Sequence, residues 1–209
     1  MAENTGEKNF FLIGNNLSLD FINTEYVENG EPQDALNSYA DLLAWAVAVN
    51  LLEAQQRTIL LRESGGSNAA DEIFSRALKF RSELRTMVEE LEMGNKPTPR
   101  MLLAINQVLS LQKGYTELVP TEDGFRKRFR TNFRDLEGLL SPIAEAAADL
   151  LCYGNPVYLK KCENPDCVLH FYDTSKNHKR RWCSMNACGN RAKAAAFYQR
   201  RRNKSNHQK

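Results

Sequence analysis

Four cysteines in the last quarter of the chain constrain its fold more than any other feature. Cys162 and Cys167 form one pair with four residues between them, and Cys183 and Cys188 form a second with the same spacing. Two close pairs 15 residues apart suit a tetrahedral thiolate site, because each pair occupies one loop and the loops can fold toward each other. The expectation is one structural Zn2+ ion per chain, bound by all four sulfurs. The competing readings are two disulfides or unrelated buried thiols. The chain opens Met1-Ala2-Glu3-Asn4-Thr5-Gly6-Glu7, without the basic-then-apolar pattern of a secretory signal. A cytoplasmic, reducing compartment is therefore expected, where disulfides are rare. The fifth cysteine, Cys152, lies in an apolar run and reads as a small core residue.

Charge divides the chain sharply. Residues 1–155 hold 15 Lys/Arg and 23 Asp/Glu, a balance of −8, whereas residues 156–209 hold 13 and 3, a balance of +10. A basic module for a polyanion beside an acidic body is the direct reading. The division predicts two domains, 1–155 and 156–209, joined near Gly154-Asn155-Pro156. A hydrophobic content of 42% supplies a core, and no run approaches a membrane span.

Pattern and punctuation predict a mainly α fold with short β-hairpins (α+β). Phe10–Ile13 and Leu17–Ile22 flank Gly14-Asn15-Asn16, and the alternation of Leu17, Leu19 and Phe21 reads as a hairpin. Glu28–Pro32 reads as a polar turn. Helices are expected over about 38–50, 53–63, 68–92 and from Pro99, followed by a hairpin pairing Tyr115–Val119 with Phe125–Arg130. A last body helix is expected from Arg134 to Cys152, with Pro142 as its weak point.

In the C-terminal part, Asn164-Pro165-Asp166 is turn chemistry between the first two ligands. The second pair runs into a basic helix expected from about Ala187 to Asn203. Loop ligands followed by ligands at a helix start look like a small treble-clef finger. At 100° per residue, Lys193, Arg200 and Lys204 fall within about 40° of one another. Candidate DNA contacts are Arg180, Arg181, Arg191, Lys193, Arg200, Arg201 and Lys204, since Arg and Lys hold phosphates and Arg also reads guanine edges. The alternative is a solvated basic helix, or one that docks on the acidic body or a protein partner. Arg191, just past the last ligand, suits bracing of the cluster as well as phosphate contact. His170 and His178 lie between the cysteine pairs and are weaker candidate ligands; His207 falls in the terminal tail.

The segments Cys162-Glu163-Asn164-Pro165-Asp166-Cys167, Arg180-Arg181-Trp182-Cys183-Ser184-Met185 and Cys188-Gly189-Asn190-Arg191 closely resemble the CGNR zinc finger. Leu17-Ser18-Leu19-Asp20-Phe21-Ile22-Asn23-Thr24 is similar to the opening motif of the ABATE domain, which precedes that finger in bacterial proteins. The resemblance implies a stress-linked transcription regulator, with DNA as partner.

In the body, Asp20, Asn23 and Thr24 interrupt an apolar segment and are candidates to line a small polar ligand's site. Against this stands the habit of such side chains of satisfying turn and helix-end backbone groups. A small-molecule effector and a homodimer are further candidate partners. No Ser–His–Asp order, Gly-rich phosphate loop or HExxH motif is present, and four cysteine ligands leave zinc no open position, so a non-enzyme is expected.

Overall fold

The computed structural model describes residues 10–111, 114–131 and 136–206. It opens with helix α1 (Leu17–Ile22) and an antiparallel hairpin, β1 (Glu25–Glu28) with β2 (Glu31–Asp34). The hairpin expected over 10–22 is thus absent. Asn16 accepts hydrogen bonds from the amides of Ser18 and Leu19 and starts a helix, which buries Ser18, Leu19, Phe21 and Ile22. Helical capping overrides the apparent alternation. The polar stretch over 28–32 forms the hairpin turn, with Asn29 and Gly30 at φ of 53° and 85°. Positive φ at both positions is the twist-matching two-residue turn that Asn-Gly favours.

Five helices and a second hairpin follow. They are α2 (Tyr39–Ala48), α3 (Ala54–Ser64), α4 (Asn68–Glu92), α5 (Pro99–Leu109), β3 (Gly114–Thr121), β4 (Gly124–Thr131) and α6 (Ser141–Tyr153). The side chains of Ser38, Ser67 and Thr98 cap α2, α4 and α5 by accepting amides three residues on. At the far end of α4, Asn95 N–H reaches Glu90 O and Gly94 N–H reaches Leu91 O. Gly94 sits at φ 81°, which makes this a Schellman stop. The face of α4 carrying Ile73, Ala77, Phe80, Leu84 and Met87 is buried, against α2 and α5, and α5 in turn packs on α6. β3 and β4 pair from Gly114↔Thr131 to Thr121↔Gly124.

Two expectations change here. Pro142 does not weaken the middle of the last helix but sits in its first turn, where a missing N–H is harmless. A 3-10 turn, Leu136–Leu140, precedes it; Arg134 lies outside the described residues. Cys152 is exposed rather than a core residue.

The chain ends with β5 (Leu159–Lys161), β6 (His170–Tyr172), a π turn over Met185–Gly189 and α7 (Asn190–Asn206). β5 and β6 pair antiparallel, Leu159↔Tyr172 to Lys161↔His170. By packing, the structure forms two units, and they divide the chain differently from its charge: residues 36–154 make one, and the segment up to Ala35 joins residues from Asn155 onward in the other. No described helix is long and apolar enough to cross a membrane.

Candidate metal centre and basic helix

The metal site is assembled from a strand pair and a helix start. Cys162 leaves β5 with its N–H on Leu169 O at 2.9 Å. The following turn is closed by Cys167 N–H to Asn164 O at 2.9 Å, which brings the first two sulfurs round to one side. The π turn presents Cys188, with Gly189 N–H bonded to Ser184 O at 2.9 Å. All four thiol sulfurs lie within 4.8 Å of one another and are buried. Cys183 Sγ is 3.8 Å from Cys167 Sγ and 3.5 Å from Cys188 Sγ. Zinc–sulfur bonds of about 2.3 Å in a tetrahedron need sulfurs about 3.8 Å apart, so the set fits a zinc ion.

Two N–H groups also point at sulfur, Cys183 N at 3.3 Å from Cys162 Sγ and Asn164 Nδ2 at 3.3 Å from Cys188 Sγ. Such donors stabilise thiolate. Sulfurs this close cannot all ionise without a cation. Hydrogen bonds from the Cys167 and Cys183 side chains draw Cys162 down to about 2, and the same contact with Cys162 pushes Cys167 up to about 12. A dication takes the place of those shared protons. When bound, zinc supplies structural cross-linking, with no coordination position left for chemistry.

Around the sulfurs lies a small core of Leu169 and Phe171, and Ile13 and Tyr26 of the opening segment pack against it. That segment is also tied on by main-chain bonds. Tyr172 N–H meets Gly14 O at 2.8 Å, and Asn15 Nδ2 donates to Tyr172 O at 2.9 Å. Arg180 completes the attachment: its Nη2 donates to Ile13 O at 3.0 Å and to Cys183 O at 2.6 Å, and its Nε to Trp182 O at 3.1 Å. Its guanidinium also lies 4.0 Å over the Phe171 ring. Asp173, fully buried, accepts from Lys160 Nζ at 2.7 Å, from Ser175 N at 3.0 Å and from Arg180 N at 2.9 Å. Burial opposes its ionisation, but the Lys160 ammonium and the Ser175 and Arg180 donors outweigh it and hold the carboxyl well below its ordinary range.

Residues 15–154 match the ABATE family model, described as "Putative stress-induced transcription regulator", and residues 158–201 match the CGNR zinc finger. The chain belongs to the ABATE family. No curated protein matches it. The ABATE match begins at residue 15, so it includes residues 15–35 of the unit that holds the CGNR finger as well as the helical unit.

The motif that names the finger divides by role. Cys188 is a ligand. A Cβ on Gly189 would stand 2.7 Å from Trp182 Cδ1 and 2.9 Å from Met185 Sδ, so only glycine lets the turn close. Asn190 Nδ2 donates to Asn186 O at 3.3 Å. Arg191 is exposed, so the cluster-bracing role falls to Arg180 instead.

The sequence-derived DNA contacts separate accordingly. Arg180 has its guanidinium committed to three carbonyl oxygens and braces the turn. Arg181 is exposed but pairs with Glu163 (Nε 2.6 Å, Nη2 2.5 Å) and lies 4.5 Å over Trp182. Arg191, Lys193 and Arg200 are exposed on α7, as are Phe197 and Tyr198, whose rings meet edge-on at 5.8 Å. Arg201 and Lys204 continue the same helix; their side chains, like His207, lie outside the described residues. His178 stacks on Tyr158 at 3.7 Å with Nδ1 2.8 Å from Asp173 O, and His170 is buried in β6, so neither joins the four sulfurs.

The ABATE residues singled out as ligand candidates engage the backbone. Asp20 Oδ1 accepts Gly14 N–H at 2.7 Å, Thr24 Oγ1 donates to Phe21 O at 2.7 Å, and Asn23 brackets His170. A cavity of about 630 Å³ occurs elsewhere, between α4 and α5. Its sequence signal lies in α5, where Met101 and Ile105 are buried while Leu102 and Leu103 remain 42% and 56% exposed. That apolar stripe is wider than one core contact requires.

Proposed function

We propose that this protein is a cytoplasmic bacterial transcription regulator whose zinc finger lays α7 against duplex DNA. The observation that carries the reading is the exposure of α7. From Asn190 to Arg200 every residue but Ala192 is exposed. Arg191, Lys193 and Arg200 stand on it with no acidic residue anywhere in the helix. A long helix without an apolar face toward its own chain is suited to a partner, and its charge suits phosphate. Zinc fixes the root of the helix, so that its direction is set before DNA arrives. Arg181 adds a cation beside Trp182, and Arg201 and Lys204 add to the positive charge of the helix sequence. The helical unit then serves as the regulatory part, sensing an effector or pairing two copies so that two fingers meet one operator.

The exposed Phe197 and Tyr198 favour a second reading, in which α7 docks on another protein. Anisotropy titration of the zinc-loaded full chain with labelled duplex, at about 50 and 200 mM salt, separates the two. Contact with four to six phosphates gives log affinity a slope of about −4 to −5 against log salt. Absence of salt-dependent binding would leave the protein-docking reading.

A further inference from the structure

Between Thr174 and Arg181 the finger carries a loop with four cations, Lys176, Lys179, Arg180 and Arg181, and no acidic residue. Buried Asp173 holds this loop from beneath. Its Oδ1 accepts Ser175 N–H at 3.0 Å and Ser175 Oγ at 2.5 Å, and its Oδ2 accepts Arg180 N–H at 2.9 Å. One carboxylate thus ties both ends. The middle is fixed at His178, whose φ of 47° is a conformation that a non-glycine residue keeps only where its surroundings impose it. Those surroundings are the Tyr158 ring stacked at 3.7 Å, the bond from Nδ1 to Asp173 O at 2.8 Å, and Lys160 Nζ donating to His178 O at 2.7 Å.

Packing does not account for this order, since every residue from Thr174 to Lys179 is exposed. What the order fixes is charge. Arg180 is committed to carbonyl oxygens and Arg181 to Glu163. Lys176 and Lys179 remain exposed, and neither forms an ion pair among the described residues. Beside the loop lies a hollow of about 430 Å³, with Ser175 and Lys179 on one bank and Ser184 and Met185, where the π turn leads into α7, on the other.

We propose that this loop is a second phosphate-binding element of the finger, in which Lys176 and Lys179 hold the backbone of duplex DNA beside α7. It rests on the reading of the finger as a DNA-binding module for the identity of the polyanion. A strand that crosses the hollow meets ammonium groups on one bank and the root of the helix on the other. Because Asp173 and His178 order the loop beforehand, little ordering entropy is lost when phosphate arrives. Asp173 is then a positioning residue for a contact it does not itself make.

The test is anisotropy titration of the zinc-loaded full chain with labelled duplex over a salt series, for the parent and three double variants. Lys176→Gln/Lys179→Gln should flatten the slope of log affinity against log salt by about two units, with zinc content and urea midpoint unchanged. Lys79→Gln/Lys96→Gln, which removes two exposed lysines of the helical unit, should keep the parental slope. Arg191→Ala/Arg200→Ala separates the loop from the helix. If that variant is flattened and the loop variant is parental, the loop proposal falls and α7 stands; the reverse pattern keeps the loop and removes α7. Equal flattening in the Lys79/Lys96 control would reduce the effect to net charge and overturn the proposal. Displacement of the duplex by polyglutamate as readily as by unlabelled DNA would assign the loop to an acidic protein instead. A parent without salt-dependent duplex binding would remove loop and helix readings together.

Discussion

Asn23 and His170 are 147 positions apart, yet Asn23 brackets the His170 peptide group: Oδ1 accepts its N–H at 2.9 Å and Nδ2 donates to its C=O at 2.8 Å. Both residues are 1% exposed. One amide side chain thus occupies the outer edge of β6 as a further strand would.

Asn23→Ala leaves a buried N–H and a buried C=O without this partner, which should cost about 2–4 kcal/mol. The loss should appear in the finger, read as a weaker hold on zinc in chelator competition and as an earlier Trp182 fluorescence transition in urea. A variant that keeps parental zinc retention would show that the opening segment does not support the metal site.

Substituting Ser for any one of Cys162, Cys167, Cys183 or Cys188 should release zinc, measured by elemental analysis. It should unfold the finger, because so small a core depends on metal for much of its folding free energy. Exposed Cys152→Ser should keep one zinc per chain. Full zinc occupancy in a double ligand variant would reject the four-sulfur assignment.

Asp173 makes a pH prediction with a definite sign. Its native carboxyl lies below the ordinary 3.8, so it stabilises the fold above the unfolded value and loses that contribution only as pH falls through the lower native one. Asp173→Asn should cost about 2–3 kcal/mol, discounted because Lys160 retains 26% side-chain exposure. That difference should stay constant from about pH 5 to 8 and narrow only in stronger acid. Urea unfolding across this range checks it; convergence by about pH 5 would contradict the depressed value.

Arginines of equal charge should behave differently. Arg191→Ala and Arg200→Ala should each flatten the salt slope of DNA binding by about one unit, with zinc content and urea midpoint unchanged. Arg180→Ala should lower the urea midpoint, since the Ile13, Trp182 and Cys183 carbonyls lose their donor. An Arg180→Ala protein that is stable but flattened in slope would return that residue to the DNA surface.

What the sequence revealed follows from how local each signal was. The zinc ligands were legible because the pairs lie on single loops, and α4 because a three- to four-residue apolar repeat runs along its 25 residues and Gly94 stops it. Helix α1 was misread because six residues are too few to separate a 3.6 period from alternation, while the deciding interaction was a cap from Asn16. Strands β1 and β2 are polar (Glu-Tyr-Val-Glu and Glu-Pro-Gln-Asp), so only the Asn29-Gly30 turn marked them. The anchoring of Asn23 and Arg180 is hidden in the sequence for a shared reason. Their partners are main-chain atoms distant in sequence, and charge or polarity alone does not show where a side chain is anchored.

The grouping of residues up to Ala35 with those beyond Asn155 has a consequence for biosynthesis. The first piece of the finger unit leaves the ribosome with all of residues 36–154 still to be made. At about 5–20 residues per second, it waits roughly 8–31 s for its remaining strands and for the last cysteine ligand. During that interval Ile13, Asn23 and Tyr26 have none of their final finger neighbours, whereas the helical unit can complete its own core. Zinc capture is therefore among the last events in the life of the nascent chain, and metal shortage would strand an apolar N-terminal segment on an otherwise folded protein.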